Sequence, residues 1–294
     1  MMMKRIILMT ATFLACTAFT SSAAVTDDND NTYQLKAGNL TMTVDAGKGG
    51  KILSLKYQDA EVISQLPWRE AFGSTFWTSP QKEWNWPPVP EFDKMAYTVE
   101  EHSDTTLVMR SQVSARLKYS IGKAIRACDG SFAITYTIYN ESGESRQVAP
   151  WEITRVPNQG IIFFDAPVAE ITPAGLMDFK AAHGAAWYQA DEANDNRKIN
   201  ADGKGWLAYY SDGLLLVKKF QDLKKEEPAP GEAEVQVYVN RGKTYIELES
   251  QGAYTTLAPG EHLDWTVNWY LVPAEGEAIP TASLVKKVKK LIQP

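Results

Sequence analysis

Cysteine and histidine are the scarcest reactive residues of this chain, 2 and 3 among 294. Neither is grouped at the short spacings that zinc sites use, so a Cys/His metal centre is not expected. No Gly-x-Ser-x-Gly elbow and no phosphate-binding glycine loop occurs, and with them go the familiar serine-hydrolase and nucleotide signatures. Basic residues are outnumbered, 30 against 36, for a formal charge of −6. That acidity argues against DNA or RNA as the partner. After the N-terminal segment no hydrophobic run is long enough to span a bilayer. Helical periodicity is nearly missing, no repeat of 20–50 residues is visible, and no linker divides the chain.

What is present begins with a compartment signal. Lys4 and Arg5 precede an apolar run from Ile6 to Phe19, and Ser22-Ala23-Ala24 offers a small-residue cleavage site. This is the pattern of a secretory signal peptide over residues 1–24. Residues 25–32 then read as a flexible acidic lead, and 33–294 as one domain. Phe13-Leu14-Ala15-Cys16 is a weak lipobox-like string, and cleavage before Cys16 would leave a lipid-anchored protein at the envelope. Phe13 fits that motif poorly, so cleavage after Ala24 and a periplasmic or secreted chain is the preferred reading. Loss of Cys16 would leave Cys128 without an internal partner, so a fold without disulfides, dependent on a large core, is expected.

The mature chain is dominated by period-2 alternation. Phe132, Ile134, Tyr136 and Ile138 alternate with Ala133, Thr135, Thr137 and Tyr139. Leu263, Trp265, Val267, Trp269 and Leu271 do the same, as do Val235, Val237 and Val239. Such runs are half-buried antiparallel strands, and turn signals such as Asp129-Gly130, Asp212-Gly213 and Arg241-Gly242 separate them. About fifteen to twenty strands are expected on this reading. One helix is predicted, Ala282 to Ile292, with Leu284, Val285, Val288, Leu291 and Ile292 on one face and four lysines on the other. Packing on a sheet suits it better than a membrane surface, because the lysines also complement the helix C-terminus. Residues 191–204 and 224–232 are polar and read as surface loops. Asp191, Asp195 and Asp202 lack the ligand spacing of a calcium loop, so no metal and no cofactor is expected.

Aromatic residues make up 11% of the chain, and 4 of its 9 tryptophans fall within residues 67–90. Trp68, Trp77, Trp84 and Trp86 lie there among Pro67, Pro80, Pro87, Pro88 and Pro90. The prolines disfavour strand pairing and impose a rigid path. Indoles on a rigid loop beside Arg69, Gln81 and Lys82 suit a pyranose: the ring faces stack, and the amide and charges take the hydroxyls. About half of these tryptophans are expected to plug the core and about half to face a ligand.

Gly73 to Gln81 (GSTFWTSPQ) and Trp84-Asn85-Trp86-Pro87-Pro88 resemble a stretch of the galactose-mutarotase-like superfamily, and more closely an uncharacterised exported bacterial family within it. Tyr139-Asn140-Glu141-Ser142, Ala149 to Arg155 (APWEITR), Tyr245 to Gln251 (YIELESQ) and Leu257 to Glu261 (LAPGE) follow in the expected order. The similarity spans most of residues 33–272. It implies an all-β supersandwich of two large curved antiparallel sheets, closed by the short C-terminal helix, with a sugar or oligosaccharide in the concave trough. It also implies aldose 1-epimerase chemistry, in which a carboxylate takes the anomeric proton and an acid, usually histidine, protonates the ring oxygen. Glu249-Ser250-Gln251 matches the family's base string. By strand parity Glu249 shares a face with Tyr245 and Glu247, opposite Ile246 and Leu248. The family's His-x-Tyr-Phe string falls at Pro150-Trp151-Glu152-Ile153, which has no histidine.

Of the three histidines, His102 and His262 read as surface residues, and His183 lies on a loop within conceivable reach of the trough. Glu152 is the other candidate acid, through burial against Trp151. The expected binding set is Trp77, Gln81, Lys82, Trp84, Trp86, Trp151 and Arg155; the expected catalytic set is Glu249, Glu152 and His183. Glu152 and Arg155 are three residues apart, so on one strand they face opposite ways. Three readings stay open: a sugar-binding protein without ring-opening chemistry, an epimerase using Glu249, and a glycoside-cleaving enzyme built on a Glu152/Glu249 pair.

Overall fold

The computed structural model describes residues 31–66 and 71–293. The expected signal segment with Cys16, and Trp68 and Arg69, fall outside the described residues.

Twenty strands occur among the described residues, at the top of the expected range. In chain order the first ten are β1 (Thr32–Ala37), β2 (Leu40–Asp45), β3 (Lys51–Tyr57), β4 (Ala60–Glu61), β5 (Ser74–Ser79), β6 (Thr98–His102), β7 (Thr106–Arg110), β8 (Tyr119–Cys128), β9 (Ser131–Asn140) and β10 (Arg146–Pro157). The rest are β11 (Ile161–Phe164), β12 (Lys180–Ala182), β13 (Ala185–Gln189), β14 (Arg197–Ala201), β15 (Trp206–Ser211), β16 (Leu214–Lys219), β17 (Val235–Val239), β18 (Tyr245–Gln251), β19 (Thr255–Leu257) and β20 (His262–Pro273). One ten-stranded sheet runs β1-β2-β3-β5-β10-β18-β17-β14, with β4 beside β3 and β19 beside β10. The second runs β12-β13-β11-β15-β16-β20-β9-β8-β7-β6. All the strand pairings are antiparallel, as the alternation requires.

The sheets meet through one apolar cluster. Phe76, Val156, Val237 and Leu248 of the first share it with Ile134, Tyr136, Leu216 and Trp269 of the second. Phe76 and Tyr136 stack across the gap, with ring centroids 4.3 Å apart. The two sheets thus pack face to face as a sandwich. An antiparallel sheet commonly leaves one face to water. Here β5 and β18 are buried at every position, on both faces. Loops roof the outer face of the first sheet, and the space beneath them is the trough.

Two helices flank the sandwich. Helix α1 (Pro90–Asp93) follows the proline-rich stretch, with proline in its first turn. It sits so close to the β2–β3 turn that a Cβ on Gly49, at φ +68°, would lie 2.4 Å from the Asp93 carbonyl oxygen. Helix α2 (Ala282–Ile292) starts where the sequence places it, with Thr281 Oγ1 accepting the Leu284 N–H at 3.2 Å. Its Leu284, Val285 and Val288 pack on Phe163, Trp187 and Trp206, on the outer face of the second sheet.

One expectation is corrected. Residues 191–204 are not all loop: Arg197–Ala201 form β14, paired with β17 at the edge of the first sheet. The pattern is short, only Ile199 and Ala201 alternating with polar residues, and acidic and amide residues around it mask it.

Candidate functional site

Strands β5, β10, β18, β17 and β14 lie side by side, and their side chains that point away from the sandwich core make a floor. Trp77 comes from β5, Trp151 and Arg155 from β10, Glu247 and Glu249 from β18, Tyr238 from β17 and Lys198 from β14. Together with Gln81, Trp86, Pro87 and Pro88 of the 81–88 loop, Asp93 of α1, and Asn196, Asn240 and Arg241 of the facing loops, they enclose a cavity of about 750 Å³.

Each floor charge has a partner of opposite sign. Arg155, 2% exposed, reaches the Glu247 carboxylate at 2.8 Å and donates from Nη1 to the Phe72 carbonyl at 3.2 Å. Glu249, 1% exposed, accepts at one oxygen from Trp151 Nε1 and from Lys198 Nζ, both at 2.8 Å. Asp93 Oδ1 accepts from Lys51 Nζ at 2.9 Å, Thr75 Oγ1 at 3.0 Å and Trp77 Nε1 at 2.9 Å. Among the described residues that line the cavity, two buried side-chain atoms stay unmatched: Glu249 Oε1 and Arg155 Nε. One is a pure acceptor when ionised and the other a pure donor, which is what a hydroxylated ligand answers.

Electrostatics separate the carboxylates. Burial pushes the Glu249 carboxyl above its ordinary range; Lys198 draws it down, Glu247 pushes it up again, and the net direction is upward. For Asp93 burial acts the same way, but Lys51, the hydrogen bonds from Lys51 and Trp77, and more distant Arg155 outweigh it and hold the group low. The surroundings of Asp93 thus favour its anion, whereas burial favours the neutral form of Glu249.

Of the residues expected from sequence, Trp77, Gln81, Trp86, Trp151, Arg155 and Glu249 line the cavity. Trp84 stands behind them. Its indole N–H donates to the Thr78 carbonyl at 2.8 Å, and its ring packs 5.6 Å from that of Trp77 and 6.3 Å from that of Trp151. Lys82 is exposed on the 81–83 turn and is not among the lining residues.

Glu152 is not in the cavity. It points the other way, into the sandwich, where it pairs with Lys218 at 2.8 Å and accepts from Tyr136 and Trp269, each at 2.9 Å. Both members of this pair are fully buried. The cause is parity: Trp151 and Arg155 face the trough, so Glu152 must face the core. A two-carboxylate site with Glu249 on the same side of the sheet is therefore not formed. His183 is also elsewhere, on the exposed β12–β13 turn at φ +52°, beside α2.

Sequence reasoning missed Lys198, Asn196, Asp93, Tyr238, Asn240 and Arg241. Lys198 was findable from the Ile199/Ala201 alternation, and Tyr238 from the parity of β17. Asp93 had no local signal, because only the docking of α1 on Gly49 brings it to the cavity. Glu232, in the polar 224–232 stretch, accepts from the Gln81 backbone N–H at 3.1 Å, from Gln236 at 3.0 Å and from Gln251 at 3.1 Å. It ties the tryptophan loop to the floor.

No family model and no curated protein matches the chain. Solved structures do. A candidate aldose 1-epimerase from Escherichia coli K12 superposes with a TM-score of 0.60 at 12% identity, over 83% of this chain and 99% of that one. A galactose mutarotase-like protein from Lactobacillus casei gives 0.58 at 12%, over 82% and 100%. A galactose mutarotase related enzyme from Lactobacillus acidophilus gives 0.55 at 10%, over 85% and 100%. Identities this low establish the shared fold.

Proposed function

We propose that this chain is an exported carbohydrate-binding protein and that the trough is its sugar site. One observation carries the binding reading: a cavity of about 750 Å³ walled by Trp77, Trp86 and Trp151 and floored by the polar and charged side chains of Arg155, Lys198, Tyr238, Glu247 and Glu249. Sugars pair apolar ring faces with hydroxyls that both donate and accept, and this wall supplies both kinds of contact. The prepaired floor charges favour a neutral ligand over an ion, since no net charge there waits to be neutralised. The sugar-related names of the fold's neighbours point the same way. Export rests on the signal-peptide pattern of residues 1–24.

The test is titration calorimetry of the purified protein with common aldohexoses. Saturable binding of at least one is expected, weakened by about 1–3 kcal/mol in Trp77→Ala, the scale of burying a large apolar surface. Saturable binding of none overturns the reading.

A second reading, an aldose 1-epimerase, is favoured by the state of Glu249: one carboxylate oxygen unmatched and the group pushed toward neutrality. In ring opening Glu249 would take the anomeric hydroxyl proton while the C1–O5 bond breaks, and an acid would protonate O5. No histidine lines the cavity among the described residues, and Lys198 is the cation in contact with Glu249. Anomer exchange followed by NMR separates the two readings: exchange above the uncatalysed rate supports the enzyme, and none supports the binding protein.

A further inference from the structure

We propose that the trough takes an oligosaccharide of at least two linked sugars, with Trp86 as the platform for the outer unit. This rests on the carbohydrate reading and specifies its ligand class.

The floor is too wide for one ring. It spans five adjacent strands, from Trp77 on β5 to Lys198 on β14. At about 4.8 Å between neighbouring strands, that is roughly 19 Å along the sheet. The cavity volume of about 750 Å³ agrees, being that of some twenty-five waters at roughly 30 Å³ each. A single pyranose would leave much of it filled with solvent.

The polar and apolar features are also separated. The unmatched Glu249 Oε1 and Arg155 Nε lie at the centre, on β18 and β10. Trp86 stands at the lip and is 68% exposed, the most exposed large apolar side chain among the described residues. It meets Trp77 edge to face, with centroids 6.1 Å apart and planes at 81°. That leaves indole surface open to the mouth. A tryptophan so exposed contributes little to the core, yet its backbone is strongly constrained. Asn85 before it is in the left-handed region at φ +55°, and Pro87 and Pro88 follow. A rigid, exposed indole beside a floor wider than one ring is the arrangement for stacking a second ring as it leaves the trough. Asn196 and Arg241 line the cavity from other loops and offer donors to its hydroxyls, beside Asn240, whose amide already donates to the Arg241 carbonyl and the Thr244 hydroxyl.

The experiment is calorimetry on the intact protein with glucose, galactose and mannose, each against its own α- and β-linked di- and trisaccharides. At least one oligosaccharide should bind about ten-fold or more tighter than its monosaccharide, a step of about 1.4 kcal/mol. Trp86→Ala should bring that ratio close to one, and Trp86→Tyr should restore most of it, since a flat ring remains. An exposed position makes both variants foldable, and thermal melting confirms it. A ratio near one in the wild type, or one that Trp86→Ala leaves unchanged, overturns the proposal while the sugar site itself stands. If neither monosaccharides nor oligosaccharides bind, the carbohydrate reading falls and this proposal with it.

Discussion

Glu249 and Glu152 are two buried glutamates on adjacent strands of one sheet with opposite roles, because they face opposite sides of it. Glu249 lines the cavity, and its buried Oε1 has no hydrogen-bond partner among the described residues. Glu249→Gln preserves an acceptor for Trp151 but cannot take a proton. It should leave sugar affinity within a few-fold and abolish any anomer exchange, a loss of about 10²–10⁴-fold, read by NMR. Glu152 instead neutralises Lys218 inside the sandwich, where burial holds the lysine below its ordinary pKa against the pull of Glu152. Removing one partner of such a pair strands a buried charge. Glu152→Gln should therefore lower stability by about 3–5 kcal/mol in urea denaturation, while the folded fraction binds sugar normally. Loss of binding at unchanged stability would return Glu152 to the site.

At the scale of elements, the β2–β3 turn and α1 position part of the cavity wall from beneath. Gly49 must be glycine twice over: its φ is positive, and any Cβ would collide with the Asp93 carbonyl. Gly49→Ala should destabilise the protein by more than 1 kcal/mol, roughly the cost of an incompatible left-handed residue. It should also weaken sugar binding, because Asp93 orients Trp77 through its indole N–H; calorimetry on the folded variant reads this. The same turn carries a pH-dependent term. Lys123 Nζ donates to the Gly49 and Gly50 carbonyls at 2.7 and 2.9 Å. Burial, then the nearby Lys51 charge, pull its pKa from 10.5 to about 7, against Asp93 and Glu152. Between about 7 and 10.5 the unfolded chain holds a proton there that the folded chain lacks. Stability from this group therefore rises with pH across that window and is constant below about 7. Lys123→Met should flatten the rise, measured by denaturation at pH 7 and 10; an unchanged slope would show that Lys123 is not its source.

For the whole molecule, the trough and α2 lie on opposite outer faces of the sandwich, so stability and binding should be separable. Cutting the chain after Pro280 removes the burial of Leu284, Val285 and Val288, each worth about 1.5–3 kcal/mol when complete. It also uncovers Trp187 and Trp206. The truncated protein should melt lower and aggregate more readily, yet bind sugar with unchanged affinity; a large affinity loss would couple the two faces. We further propose that residues 33–294 form a single folding unit. The shared apolar cluster between the sheets predicts one cooperative transition in calorimetric melting, and two separate transitions would argue against it.

Alternation was enough to identify an all-β chain and the facing of Tyr245, Glu247 and Glu249, because side-chain direction in a strand follows from residue number, and the apolar face at helical spacing marked the helix at 282–292. The clustering of tryptophans and prolines singled out residues 67–90, of which Trp77, Gln81, Trp86, Pro87 and Pro88 line the cavity. Tertiary structure decided the rest. Parity says that Glu152 and Arg155 diverge, but only the position of the second sheet determines which of them meets Lys218 and which meets the cavity. Trp84 and Trp86 look alike in sequence, yet one is buried behind Trp77 and the other stands at the lip, because the loop between them turns at Asn85. Lys198 and Asp93 are distant in sequence from Glu249, Trp77 and each other. Strand order and a close backbone approach at Gly49 bring them together, and such contacts between distant segments leave no mark in any local window of the chain.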